Sequence, residues 1–198
     1  MKKNLKKVLL LVLCAALLVG TAIAGTVAYL TSSAEVKNTF TAGNVTITMD
    51  EAKVDLYGVE KEGTARVTEN TYKLIPGHTY TKDPTIYVGD TSEDCYIFVK
   101  IENGLGDAAT IHMNAGWTLV SGTSNVWVYG SDAVATVVPA KDKVTPFNKF
   151  TFGADKDPAG FATATNDSAK IIVTAYAIQK DTLTGKTPAE IWALFATP

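Results

Sequence analysis

With 198 residues, 18 of them basic and 20 acidic, the chain is long enough for one domain with a sizeable core and too short for two comfortable ones. Lys2, Lys3, Lys6 and Lys7 stand apart at the N-terminus; eighteen basic residues less those four leaves fourteen against twenty acidic ones, a net charge of −6. That balance argues against nucleic acid and anionic lipid as partners of the remainder.

The four lysines precede an uncharged apolar run, Val8 to Val19, that is short for a membrane span and gives way to small residues. This is the pattern of an export signal, an N-terminal signal helix that targets the chain and does not fold with the rest. The exit from it, Gly25-Thr26-Val27-Ala28-Tyr29-Leu30-Thr31, carries no charge before Glu35 and leads into Asn38-Thr39-Phe40-Thr41-Ala42-Gly43-Asn44. At these residues the chain resembles the TasA/camelysin-like family of Gram-positive exported proteins, which carry a SipW-type (alternate) signal peptide. The resemblance implies cleavage by a signal peptidase between Ala28 and Tyr29 and a secreted, extracellular or cell-surface location. The residues themselves leave two other outcomes open. Ala22-Ile23-Ala24 also satisfies the small-x-small rule, and Val8 to Leu30 is uncharged throughout, so the segment could be retained as the chain's one contact with the membrane.

Cys14 belongs to the signal, which leaves Cys95 alone and rules out an intramolecular disulfide; an exported chain of this kind fits a bacterial envelope. Tyr29 to Gly43 is polar and rich in Ser and Thr, a flexible N-terminal segment whose large apolar groups are few, Leu30, Val36 and Phe40 among them. Residues 44–198 are then expected to form a single domain.

Val45, Ile47 and Met49 alternate with Thr46, Thr48 and Asp50, the period of a half-buried strand. Glu51 to Thr71 is charged and broken by glycines; it reads as an excursion from the core whose charges face solvent, with a short pairing segment near Ala65 to Val67. Pro76-Gly77 sets a turn. Thr85 to Val88 and Cys95 to Glu102 follow as strands joined by a hairpin or an arch between sheets, the second apolar enough to be central. Asn103 to Ala115 reads as irregular, with one helical turn, and Trp117 to Val120 and Val126 to Tyr129 as a strand pair. Val134 to Val138 and Val144 to Phe152 add two strands, with Pro139 and Pro146 marking edges or ends. Asp155 to Ser168 reads as loop, and Ile171 to Gln179, apolar on both faces, as a strand deep in a sheet. Thr187-Pro188-Ala189-Glu190 opens a short C-terminal helix with an N-cap threonine and Pro at N1. Short strands with recurring turn signals predict an all-β, jelly-roll-like β-sandwich.

The same family is resembled at Leu74-Ile75-Pro76-Gly77 with Asp83-Pro84 and the strands after it, and at Ala175-Tyr176-Ala177-Ile178-Gln179 with Ala189-Glu190-Ile191-Trp192. The resemblance implies a structural subunit or accessory of an extracellular matrix or surface fibre, self-associating or joining related proteins by β-strand addition through Leu30, Val36 and Phe40. A monomeric surface-binding or adhesin module is the alternative. A camelysin-like metallopeptidase is a weaker one, because His78 and His112 lie far apart and no His-Glu-x-x-His places two imidazoles on one helical face. The carboxylate runs Asp155 to Asp157 and Asp90 to Asp94 lack calcium-loop spacing, and no Gly-x-Ser-x-Gly occurs. The expectation is therefore no catalytic residues, no metal and no cofactor.

Overall fold

A computed structural model describes residues 44–162 and 169–196. Among these the strands run, in chain order, Ile47–Asp50 (β1), Thr79–Thr81 (β2), Thr85–Val88 (β3), Cys95–Asn103 (β4), Ala109–Met113 (β5), Trp117–Leu119 (β6), Val126–Tyr129 (β7), Val137–Val138 (β8), Lys143–Val144 (β9), Phe147–Phe152 (β10) and Ile171–Gln179 (β11). One helical turn spans Ala159–Ala162 (α1) and a short helix Pro188–Ala193 (α2). The sheets are antiparallel and the class is all-β, as expected; the signal helix lies outside the described residues.

The architecture follows from β4, because both of its faces are apolar and each needs a cover. It sits inside one sheet, in the order β11-β4-β7-β6, and also pairs with β8. Cys95, Ile97, Val99 and Ile101 point inward to a core shared with Ile86 and Val88 of β3 and Phe147 of β10. Tyr96 and Phe98 point outward and are covered by α2, through Ile191 and Trp192, and by Phe195 in the 3-10 turn that follows it. The helix starts where the sequence requires it: the Thr187 hydroxyl accepts from the Glu190 N–H while the Glu190 carboxylate accepts from the Thr187 N–H, a complete capping box.

The layer facing β4 is built on one antiparallel ribbon cut in two. Thr81 stands opposite Lys149 and Ile86 opposite Val144, so β2–β10 and β3–β9 share a single register that places Pro84 opposite Pro146. Neither proline has an N–H to give the ladder, and the ribbon breaks between them. The strand expected over Val144 to Phe152 is therefore two strands in two small sheets, with β1 flanking β3 and β5 flanking β10. The passage from β3 to β4 resolves into an arch, since the two strands lie in different sheets. At the Pro76-Gly77 turn the His78 N–H donates to the Ile75 carbonyl and Gly77 takes φ 76°, as a proline-glycine turn demands.

Three further expectations are corrected. Ala109 to Met113 is a strand rather than irregular chain: Thr110, His112 and neighbours alternate, and pairing with β10 decides what a weak pattern leaves open. β11 is not deep in a sheet; among the described residues it pairs with β4 alone and lies at the edge. The segment 51–71 is no solvent-facing excursion at its start, where Glu51, Ala52 and Val54 are all buried.

Candidate functional site

Among the described residues, the edge strands β1 and β11 do not close the side of the sandwich. β1 is the outer strand of one layer and β11 of the other, and Met49 and Glu51 share a cleft of about 740 Å³ with Ile171 and Val173. On β1, Ile47 and Met49 face the core beside buried Val88 and Ile86, yet remain only partly buried themselves. On β11 the same holds for Ile171, Val173, Ala175 and Ala177, although their neighbours Ile97 and Val99 on β4 are completely buried. Among the described residues, then, the inward side chains along this flank lack the full apolar cover that a further strand would supply.

One lip of this cleft is the arm over residues 66–74, which Arg66 clamps to the sandwich. Its Nε donates to Asp50 Oδ1 at 2.6 Å and its Nη1 to Asp83 Oδ2 at 2.9 Å. Its Nη2 donates to the Asp50 and Asp83 carbonyls and to Thr85 Oγ1. A planar guanidinium fork is suited to five contacts of this kind, and this is the only arginine in the chain. Burial opposes the charge, but the hydrogen bonds that Arg66 donates to Asp50 and Asp83 outweigh this and hold the guanidinium protonated more firmly than usual. Backbone bonds between Glu51 and Val67, at 2.7 and 2.8 Å, complete the docking.

Behind the clamp lies a tighter polar group. Lys82 Nζ donates to Glu51 Oε2 at 2.6 Å, with side chains only 13% and 4% exposed. Asn70 Nδ2 donates to the other oxygen, Glu51 Oε1, at 3.0 Å and to the Ala52 carbonyl at 2.8 Å. Asn70 Oδ1 accepts from the Val54 N–H at 3.1 Å, so an N–H on one side and a carbonyl on the other fix the amide's orientation. Tyr72 stands beside them, donating to the Thr81 carbonyl; burial, then the charges of Glu51 and Asp83, push its hydroxyl well above the ordinary range.

Sequence reasoning did not single out Arg66, Glu51, Asn70 or Lys82. A sole arginine is a visible signal, whereas the other three lie twelve to thirty-one positions apart with nothing local to join them. The residues it did single out, Ala28, Tyr29, Leu30, Val36 and Phe40, lie outside the described residues. His78 donates from Nε2 to the Tyr57 carbonyl at 2.8 Å, and His112, exposed on β5, meets Thr151 Oγ1 at 2.8 Å. Asp94 pairs with Lys180 at 2.6 Å, and Asp157 accepts from the Ala159 N–H. Among the described residues no group of three or more His, Cys, Asp and Glu is placed to hold a metal ion. No family model, no curated protein and no solved structure matches the chain.

Proposed function

We propose that this protein is an exported structural subunit or accessory of a bacterial extracellular matrix or surface fibre, and not an enzyme, joined to its neighbours by β-strand addition. The observation that supports this reading is the flank between β1 and β11: among the described residues, the nine of β11 pair only with β4 and leave their other main-chain edge open beside a row of partly covered inward side chains. The segment from Tyr29 to Gly43, freed at the Ala28–Tyr29 junction, is the occupant. Its fifteen residues exceed the length of β11, and Leu30, Val36 and Phe40 are all an even number of positions apart, so in a strand they fall on one face. Supplied by a second copy, they would dry Met49 and Val173 while the backbone completes the ladder.

The test compares the mature chain with one lacking residues 29–43, and with Val173→Lys, which sets a charge in the slot, by sedimentation and electron microscopy. The full chain should lengthen into fibres and both variants should remain folded monomers. Fibres from the truncated chain, or a full chain that stays monomeric at high concentration, refute strand addition. In the second case the surface-binding module takes its place. That reading is favoured by the hairpin tip at Leu56, Tyr57 and Val59, which are 50%, 46% and 62% exposed although the Asp55 carboxylate holds the turn rigid by accepting from the Tyr57 and Val59 N–H groups.

A further inference from the structure

Lys82 and Asn70 are held on the two oxygens of one carboxylate, that of Glu51, and we propose that they form an intramolecular isopeptide bond between Lys82 Nζ and Asn70 Cγ. Each group has a distinct role. Lys82 is the nucleophile, 2.6 Å from one oxygen of Glu51. Asn70 is the electrophile: its departing nitrogen lies 3.0 Å from the other oxygen of the same carboxylate, and its carbonyl oxygen accepts the Val54 N–H. That N–H is a fixed donor at the place where negative charge develops when an amine adds to the carbonyl. Glu51 touches both nitrogens and relays protons between them.

The atoms balance without any co-reactant. Glu51 takes one proton from the Lys82 ammonium, and the free amine's lone pair attacks Cγ, forming the new C–N bond. Glu51 gives that proton to Nδ2 and takes the surplus proton from the attacking nitrogen in its place. The Cγ–Nδ2 bond breaks, and the departing ammonia takes up this second proton and leaves as ammonium, so that Glu51 returns to a carboxylate. Burial supplies the remaining conditions. Water is held away from side chains only 4% and 13% exposed, and both reactants are held in place by the fold rather than brought together by diffusion. The cleft that Glu51, Asn70 and Lys82 help to line is an exit for the ammonium. The product ties the arm to the chain entering β3, so that the arm cannot peel from β1.

Tryptic mapping of the full chain decides the matter. Without the bond, cleavage after Arg66, Lys73 and Lys82 yields separate peptides 67–73 and 74–82. With it, 67–73 is joined to 74–100, uncut after the acylated Lys82, at a mass one ammonia below the sum of the two. Wild-type protein should yield the joined species; separate peptides carrying an intact Asn70 overturn the proposal. Glu51→Gln keeps the side chain's shape but cannot relay a proton, and Lys82→Arg keeps a cation that cannot attack, so both should yield complete loss of the joined species with an unchanged circular dichroism spectrum. A bond that persists in Glu51→Gln overturns the relay.

Discussion

Replacing Arg66 by alanine tests whether the arm is part of the fold or an appendage to it. The substitution removes five contacts at once and leaves the carboxylates of Asp50 and Asp83 facing one another without their shared cation. A hydrogen bond to a charged group contributes about 1.5–3 kcal/mol. Arg66, Asp50 and Asp83 are 31%, 34% and 22% exposed, so solvent screens the pairs and the five contacts do not add. The net loss expected is about 3 kcal/mol, which at a urea slope of about 2 kcal/mol/M lowers the unfolding midpoint by about 1.5 M. Arg66→Lys can satisfy one carboxylate but not the fork, and should fall about midway. Urea titration followed by tryptophan fluorescence measures the midpoint, and hydrogen exchange at the Glu51 and Val67 amides reports the arm itself. If Arg66→Ala shifts the midpoint by less than about 0.3 M and leaves both amides protected, the clamp contributes nothing and the reasoning fails.

Three smaller predictions follow from other parts of the molecule. Ile191 is 1% exposed under α2, so Ile191→Ala should cost about 3 kcal/mol and shift Trp192 fluorescence toward that of a solvated indole; a loss below about 1 kcal/mol would mean that the helix is not a true cover for Phe98. Glu190 is held below the usual carboxylate range, first by the Thr187 N–H and then by its hydroxyl. A lowered folded value means that the cap's contribution is complete above the ordinary glutamate value near ~4.3 and drains away as pH falls through the folded one. The difference in Tm between wild type and Glu190→Gln should therefore shrink on acidification, and a constant difference would show that the charge is irrelevant to the cap. Burial, and then Asp94, push the Cys95 thiol up to about 11, and its Sγ lies against the Val138 carbonyl. A thiol reagent at mildly alkaline pH should accordingly label it only after unfolding, and rapid labelling of the native chain would contradict this packing.

What the sequence determined by itself is what near neighbours along the chain decide. Alternating Val45, Ile47 and Met49 mark a strand whatever it pairs with, Pro76-Gly77 sets its own turn, and Thr187 to Glu190 contains both halves of its capping box. β4 was recognisable as central because both of its faces are apolar. The same rule misplaced β11, whose two apolar faces are those of an edge strand: side-chain alternation describes a strand's faces and says nothing about which of its main-chain edges finds a partner. Tertiary structure alone decided that Pro84 and Pro146 stand opposite one another and split the ribbon, and that Glu51, Asn70 and Lys82 converge. The charges of residues 51–71 were misread for a related reason. A charged side chain is expected in solvent unless a counter-charge accompanies it into the core, and Lys82, thirty-one positions from Glu51, is brought there only by strand register.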